Sequence, residues 1–398
     1  MAYNFGGLDT PAMNPAGQLA PDKSAESPRE QRNTHLDGIR GLAILLVIIC
    51  HSFGDVRSGS LLTAAIVNLA DFCWIGVDLF FVLSGYLITG ILLRTRGQPG
   101  YFRTFYMRRF LRIFPLYYAF IGVLFALALL KPVLRKEIPF AWLVLYGVNF
   151  EVALRGWPWH SVQHFWSLSV EEQFYLVWPA FIAILPRRKT VTVIGIAIAG
   201  FIVLRQVTDY LAMRSGYDLV AYFLLHIDGL MLGAMLAAYH REKPASDGMR
   251  RAGLFTLAAM GILVAAGSVR GKALNWRDWH GAACLNYSLV AIAAAALIAV
   301  SVYSPGGARI NRGLSARPLV MLGKYSYALY IFHYPLDTIF RRLGLHSFSI
   351  GWALPYAAML TASSLAVAWV SWRVIEEPCI RLKDQFFSYK NKARAAAA

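Results

Sequence analysis

Long blocks of apolar residues alternate with short polar segments along most of the chain. Several blocks approach the roughly 20 residues that cross a bilayer as a helix. We place them at 41–53, 61–93, 113–130, 165–185, 190–204, 219–239, 252–267, 282–303, 319–340 and 350–370, with a shorter one at 140–150. The pattern predicts an all-α polytopic membrane helix bundle with about ten transmembrane helices and both termini in the cytoplasm.

Three blocks have unusual lengths. The first is short unless its helix begins near Leu36, and the second is so long that its helix must tilt or break. The block at 140–150 is too short to span, which predicts a re-entrant or interfacial element.

Charge supports this topology. The chain has 57% hydrophobic and 15% charged residues, against roughly 25% charged in soluble domains. With ten spans and the N-terminal arm inside, 26 of the 39 Lys and Arg residues fall in inside segments. Twelve, among them Arg205 and Arg341, fall in outside segments, and Lys324 lies within a span. This bias follows the positive-inside rule. The net charge of +17 is therefore a topology signal, and nucleic acid is not an expected partner.

The polar ends predict the domain boundaries. Residues 1–34 are rich in Pro, Ala and Ser and lack a signal peptide, which favours a disordered cytoplasmic arm. Residues 35–382 form the predicted transmembrane domain, and 383–398 form a basic cytoplasmic tail. We expect no appended soluble domain. The four cysteines contain no CxxC pair, so they predict neither a disulfide framework nor a zinc site.

Ionisable residues flank the first apolar block: His35, Asp37, Arg40 and His51. Such groups cost at least about 2.5 kcal/mol each at mid-helix and are therefore functional candidates. Arg40 and His51 share a helix face and differ by about 16 Å in rise, which carries His51 to about the middle of the bilayer. A neutral imidazole there can act as a general base, and Arg40 can hold phosphate. The alternative is a histidine bonded to a backbone carbonyl beside a topology anchor.

Two further motifs precede the middle of the chain. Ser84 and Tyr86 flank Gly85, and Ser84 is either a nucleophile or, with no GxSxG motif around it, a packing residue. Arg109 and Arg112 share a helix face, with Arg108 beside them. This fork suits the phosphates of a donor such as coenzyme A. Positive-inside anchoring is the alternative.

Adjacent carboxylates stand at the head of the fourth span. Glu171 and Glu172 point about 100° apart, so at most one of them faces a given site. His160 and His164 have the i,i+4 spacing of metal ligands, but no clear third ligand follows and we predict no metal site. Tyr325 and His333 lie with Asp228, Lys324 and Glu377 in a last polar set, for which pairing between helices is the simpler interpretation.

In this order, the motifs resemble the acyltransferase 3 family across residues 34–382. The resemblance rests on Arg40-x10-His51, FFVLSGYL from Phe80, Arg109-x-x-Arg112 before Pro115, SLSVEEQFYLVWP from Ser167, LGKYSYALYIFHYP from Leu322 and Glu376-Glu377-Pro378. Each motif is weak alone, but the ordered set is specific.

The resemblance implies a multi-pass inner-membrane enzyme that moves an acyl group, typically acetyl, from cytoplasmic acyl-CoA to a hydroxyl of a glycan, lipid-linked sugar or small molecule. It implies no permanently bound cofactor. His51, Arg40 and Glu172 would be catalytic. Donor binding would fall to Arg109, Arg112 and Arg108, and acceptor binding to Ser84, Tyr86, Glu171, Tyr325 and His333.

Two differences from relatives qualify the resemblance. Some relatives carry a C-terminal SGNH esterase-like domain, which this sequence lacks, so a two-domain relay is not expected. His226 stands two residues before Asp228, near where many relatives have Arg, and its role stays open.

Two other classes of function compete with an enzyme. A transporter or flippase would also line a path with polar groups, but the paired halves and broken helices of such proteins are missing from the sequence. A structural scaffold or lipid-binding partner leaves the buried ionisable groups without a role. Acyl-CoA hydrolysis or transfer in purified membranes would discriminate among the three.

Overall fold

The computed structural model describes residues 33–56, 59–131, 133–134, 138–155, 161–215, 227–269, 283–305, 307–346 and 349–387. Every regular element within these ranges is helical. The predicted arm and most of the predicted tail lie outside the described residues, so their boundaries stay predictions. The residues from His35 onward form one compact unit.

Fifteen α-helices follow one another in the described part of the chain. They are α1 (Thr34–Phe53), α2 (Leu61–Asp71), α3 (Gly76–Thr95), α4 (Tyr101–Leu130), α5 (Phe140–Val144), α6 (Val148–Arg155), α7 (Phe165–Ile184), α8 (Thr190–Ser215), α9 (Ile227–Glu242), α10 (Asp247–Val269), α11 (Ala283–Tyr303), α12 (Arg309–Leu314), α13 (Arg317–Arg342), α14 (Ile350–Ser371) and α15 (Glu377–Phe386).

Seven helical segments among the described residues are long and apolar enough to cross a membrane. They confirm an all-α polytopic membrane bundle. Three predicted spans fall outside this group: α7 is made more polar by its Glu-Glu-Gln run, α13 carries many polar residues, and α9 has only 16 residues. The count of ten and the cytoplasmic termini stay predictions.

Helix interruptions occur where the block lengths predict them. The second block breaks at a 3₁₀ turn, Phe72–Ile75, between α2 and α3. The block at 140–150 becomes two helices of 5 and 8 residues, too short to span. By contrast, α4 begins twelve residues before its apolar block because its basic first turns are also helical.

Glycines set the closest helix crossings. A Cβ on Gly41 would overlap the carbonyl oxygen of Leu319, and one on Gly323 would overlap that of Asp37. Here α1 and α13 pack backbone against backbone, as small residues permit in membranes. Gly85 of α3 makes an equally close approach to Leu230 of α9.

A buried ion pair ties α8 to α9. The Arg205 Nη1 atom lies 3.1 Å from Asp228 Oδ1, and the two side chains are 1% and 2% exposed. Ser288 of α11 donates a hydrogen bond of 2.7 Å to Asp228 Oδ2. The predicted pairing of Asp228 between helices is confirmed. The assignment of Arg205 to an outside loop is wrong, because α8 extends eleven residues past the predicted end at Leu204.

The predicted cytoplasmic loop between α3 and α4 can be tested by labelling. In a cysteine-free background, Gln98→Cys should resist a membrane-impermeant maleimide in intact cells, because positive-inside bias places Arg94 to Arg112 inside. Gln98 is exposed, so burial would not block the reaction. Gly59→Cys, in the predicted outer loop, is the positive control. Ready labelling at position 98 would invert the topology.

Candidate active site

Three histidines from distant parts of the sequence meet at one end of the bundle. The ring centroids of His51 and His333 are 5.2 Å apart, and those of His164 and His333 are 5.3 Å apart. The ring of Tyr334 lies 4.9 Å from that of His51 and 5.2 Å from that of His164. Tyr330 packs against His164 at 5.4 Å. We call these five residues the histidine cluster.

Helix register explains the meeting of His51 and His333. Each lies ten residues beyond the glycine at which its helix crosses the other, Gly41 on α1 and Gly323 on α13. Because the two helices run parallel, an equal rise of about 15 Å brings both imidazoles to one level. His164 reaches them from the N-cap position of α7.

Backbone hydrogen bonds fix the tautomers of two of these rings. Nδ1 of His51 lies 2.8 Å from the carbonyl oxygen of Val47, and Nδ1 of His333 lies 2.9 Å from that of Tyr330. A carbonyl only accepts, so each Nδ1 carries the proton and each Nε2 presents a lone pair. His333 is fully buried, whereas His51 is half-buried. His51 is therefore the accessible base of the cluster.

A buried nitrogen atom without a partner lies beside this base. It is Nε2 of His333, whereas the buried ring of His164 lies against the backbone of Tyr330 and Ile331. Buried polar groups are usually paired, so such atoms call for a functional or strain-based explanation. In the described part of the chain, no three His, Cys, Asp or Glu side chains are arranged to hold a metal ion.

An arginine anchors the backbone under His51. Nη2 of Arg341 donates a 2.8 Å hydrogen bond to the His51 carbonyl, and Nε donates one of 2.6 Å to Asp337. Asp55 pairs with the same guanidinium, and Tyr356 donates to Asp337 at 2.7 Å. Among the sequence-based predictions, Arg341 was only one of the twelve charges outside the membrane. Its i,i+4 spacing from Asp337 was the available signal.

A second polar cluster lies about three turns from the first along α1. Glu171 accepts hydrogen bonds from Ser84 and, at 3.0 Å, from Tyr175. The Arg109 guanidinium sits 4.3 Å from the centre of the Tyr175 ring. Arg112 lies 3.4 Å from Glu376 and 5.5 Å from the Trp372 ring centre.

Arg40 belongs to the same cluster. Its Nη1 atom pairs with Asp37 at 2.8 Å, and it lies within electrostatic range of Arg109 and Arg112. Lys324 stands over the Trp372 ring, 4.8 Å from its centre. We call Arg40, Arg109, Arg112, Lys324, Ser84, Glu171, Tyr175 and Glu376 the arginine cluster. Its four cations lie beside the carboxylates of Asp37, Glu171 and Glu376, and Glu172 is within electrostatic range of Arg109. The formal charges therefore balance, and the guanidinium groups supply the hydrogen-bond donors that an anion would need.

A sequence comparison decides the family. The family model described as an acyltransferase domain matches residues 33–373. The chain belongs to the acyltransferase 3 family. It is thus a multi-pass membrane acyltransferase. No solved structure matches it significantly.

The chain is similar to several proteins named as O-acetyltransferases. The chain is 28% identical over 383 residues to a peptidoglycan O-acetyltransferase, OatA, of Listeria monocytogenes, with 89% of this chain and 56% of that protein covered. It is 27% identical over 394 residues to the O-acetyltransferase OatA of Staphylococcus aureus, covering 91% and 60%. A putative peptidoglycan O-acetyltransferase of Bacillus subtilis, YrhL, is 29% identical over 371 residues, covering 86% and 54%. The chain spans little more than half the length of these relatives.

The structure brings most predicted site residues of this acyltransferase into the two clusters. His51 and His333 lie in one, and Arg40, Arg109, Arg112, Ser84 and Glu171 lie in the other. Tyr325 is next to the arginine cluster, its ring 5.7 Å from that of Trp372. Glu172 has one buried carboxylate oxygen without a hydrogen bond, and its electrostatic neighbours are Arg109 and Glu171. It therefore lies nearer to the arginines than to His51.

Two predicted residues point elsewhere. The Tyr86 hydroxyl contacts Nδ1 of His240 at 2.7 Å, on the face of α3 away from Ser84, because positions two apart diverge by about 200°. Arg108 donates to the Phe387 carbonyl at 3.0 Å and pairs with Asp384. His160 and His226 lie outside the described residues.

His51 occupies the last turn of α1. Its depth in the bilayer stays a prediction.

Proposed function

We propose that this acyltransferase transfers an acetyl group from cytoplasmic acetyl-CoA to a hydroxyl of a cell-wall glycan at the inner membrane. One observation carries the proposal: three helices each contribute to both clusters. Helix α1 carries Arg40 and His51, α7 carries Glu171 while His164 immediately precedes it, and α13 carries Lys324 and His333.

The spacing between the clusters suits acyl-CoA. Arg40 and His51 are separated by about 16 Å of helix rise, and Lys324 and His333 by about 13 Å. Coenzyme A places its phosphates at one end and its thioester at the end of a long, flexible arm. Phosphates at the arginine cluster would let this arm carry the thioester to His51.

The guanidinium groups of the arginine cluster support the donor assignment. Guanidinium groups bind phosphate through paired, charge-assisted hydrogen bonds. Positive-inside bias puts this end of the bundle in the cytoplasm, where acyl-CoA is made. Its carboxylates orient the cations: Asp37 holds Arg40, and Glu376 holds Arg112.

His51 provides the base for the transfer. Its Nε2 lone pair takes the proton of the acceptor hydroxyl while that oxygen attacks the thioester carbonyl. A new C–O bond forms, the C–S bond breaks, and the coenzyme A thiolate leaves and takes up the proton from the imidazolium. The Val47 carbonyl, which accepts from Nδ1, keeps the base in the required tautomer throughout.

The acceptor would enter from the end that holds the histidine cluster. The names of the relatives favour peptidoglycan as this acceptor. The unpaired Nε2 atom of His333 offers a hydrogen-bonding site for a sugar hydroxyl. The purified chain should release free thiol from acetyl-CoA only when soluble peptidoglycan fragments are present, with acetyl appearing on the fragments. Thiol release without acetylated glycan would contradict the acceptor class.

The double change Arg109→Lys and Arg112→Lys tests the donor site. It keeps the charge, and so the topology, but removes the planar fork. Because each charge-assisted hydrogen bond is worth about 1.5–3 kcal/mol, the KM for acetyl-CoA should rise at least about tenfold. The KM for glycan fragments should change little, and kcat at saturating donor should largely survive.

Arg108→Lys is the matched control, because Arg108 contacts the C-terminal segment at Asp384 and Phe387. Its donor KM should stay near that of the wild type. A normal donor KM in the double variant would leave the two arginines as membrane anchors.

A further inference from the structure

A small basic cavity lies apart from both clusters, where three helices end. Leu93 and Arg96 line it from the end of α3, Thr190 from the start of α8, and Arg241 and Glu242 from the end of α9. Arg187, in the turn before α8, completes its charged lining. Helix ends of a membrane bundle lie at the bilayer surface, so this cavity faces the headgroup region.

The charge of the cavity favours an anion. Three guanidiniums stand against one carboxylate in its lining. The cavity borders the N-terminus of α8 and the C-terminal ends of α3 and α9, whose helix dipoles oppose one another. The three guanidinium groups therefore decide the sign of the charge in the cavity.

The arginines are held in place rather than neutralised. Arg96 donates through Nη2 to the carbonyls of Ala183, at 2.9 Å, and Leu185, while its Nη1 is buried without a hydrogen-bond partner. Arg241 donates through Nη1 to the Leu93 carbonyl. Backbone carbonyls thus fix both side chains but leave their positive charges unpaired by a carboxylate. A site preorganised in this way loses little entropy on binding.

The size of the cavity limits the ligand. Its volume is about 160 Å³, below the roughly 300–1,000 Å³ of sites that enclose drug-sized molecules. Whole coenzyme A is too large, whereas a single phosphate group attached to a larger body outside fits.

We propose that this cavity binds one phosphate group, supplied by an anionic phospholipid headgroup or by a free phosphate compound. Basic pockets between transmembrane helices bind such headgroups, and juxtamembrane Lys and Arg each add about 1 kcal/mol of attraction to an anionic leaflet. The site shares no lining residue with the arginine cluster, although α3 contributes Ser84 to that cluster and Leu93 to the cavity. It therefore stands independently of the proposed donor site.

Binding to the full chain in neutral detergent tests the proposal. Dioleoylphosphatidylglycerol should raise the thermal unfolding midpoint and appear as bound lipid by native mass spectrometry. Phosphatidylcholine, which has no net charge, should do neither. Inorganic phosphate is the second probe. If low millimolar phosphate raises the unfolding midpoint and no lipid is retained, the site binds a free phosphate compound. If phosphatidylglycerol is retained, the site binds lipid.

Neighbouring residues supply matched variants. Arg187→Gln should weaken phosphatidylglycerol binding about fivefold, as expected for one lost cation. Arg188→Gln removes the same charge from the next residue, which does not line the cavity, and should leave binding unchanged. Glu242→Gln should tighten binding by removing the repelling carboxylate, a gain that misfolding cannot produce.

Two results would overturn the proposal. One is an absence of binding or protection by both phosphatidylglycerol and phosphate. The other is an equal loss of affinity for phosphatidylglycerol in the Arg187 and Arg188 variants, which would show that binding depends on general surface charge rather than on the cavity.

Discussion

Replacing His51 with alanine is expected to lower the rate of acyl transfer about 10²- to 10⁴-fold, which is the usual contribution of a general base. The structure gives His51 an accessible Nε2, a tautomer fixed by Val47 and a backbone carbonyl anchored by Arg341. The side chain is half-buried at the end of α1, so its removal should leave expression and membrane insertion near normal. Turnover of acetyl-CoA with soluble peptidoglycan fragments is the measurement.

His240→Ala is the matched control. His240 is also a histidine at a helix end, but it contacts Tyr86 and Tyr303 away from both clusters. Its activity should stay near that of the wild type. Near-normal turnover in the His51 variant would remove this residue from the mechanism, whereas equal losses in both variants would point to a structural effect.

Asp228→Ala is expected to lower the free energy of unfolding by about 3–5 kcal/mol, the cost of breaking a buried ion pair by removing one partner. Arg205 would keep its charge at 1% side-chain exposure after the loss of its carboxylate partner. The interior of a membrane bundle adds to the penalty because a buried guanidinium that has lost its carboxylate is not resolvated by bulk water. The midpoint of thermal unfolding in detergent should therefore fall sharply.

The double variant Arg205→Met and Asp228→Leu is the control for this prediction. It removes both charges while keeping similar volume, and such replacements are often neutral or stabilising. Its unfolding midpoint should lie closer to the wild type than that of Asp228→Ala. An Asp228→Ala variant as stable as the wild type would show that Arg205 finds another partner or water.

The length of an apolar block predicts the helices that lie within the apolar core well. The lengths of the apolar blocks predicted the break at Phe72–Ile75 and the short elements near 140–150. The reason is that only a helix of roughly 20 residues matches the thickness of the bilayer. The start of α4 at Tyr101 and the extension of α8 to Ser215 were not predicted. Apolar length carries no information on helical residues that lie beyond the apolar core.

The candidate site was predicted by motif rather than by geometry. The spacing of Arg40 and His51 placed them on one face, which α1 preserves. The meeting of His51 with His333 depends on the crossing at Gly41 and Gly323, which no local pattern encodes. The divergence of Tyr86 from Ser84 follows from helix periodicity and was available from the sequence.

The sidedness of donor use tests the central claim, that coenzyme A binds at the arginine end and reacts at the histidine end. Inside-out and right-side-out membrane vesicles would each receive radiolabelled acetyl-CoA in the external buffer. Acetyl-CoA cannot cross the bilayer, so it reaches only the outward-facing side of the protein. We predict that inside-out vesicles consume it and accumulate acetylated glycan protected in their lumen, whereas right-side-out vesicles do neither. The account would be contradicted if right-side-out vesicles consumed acetyl-CoA as fast as inside-out vesicles and if His51→Ala abolished that consumption.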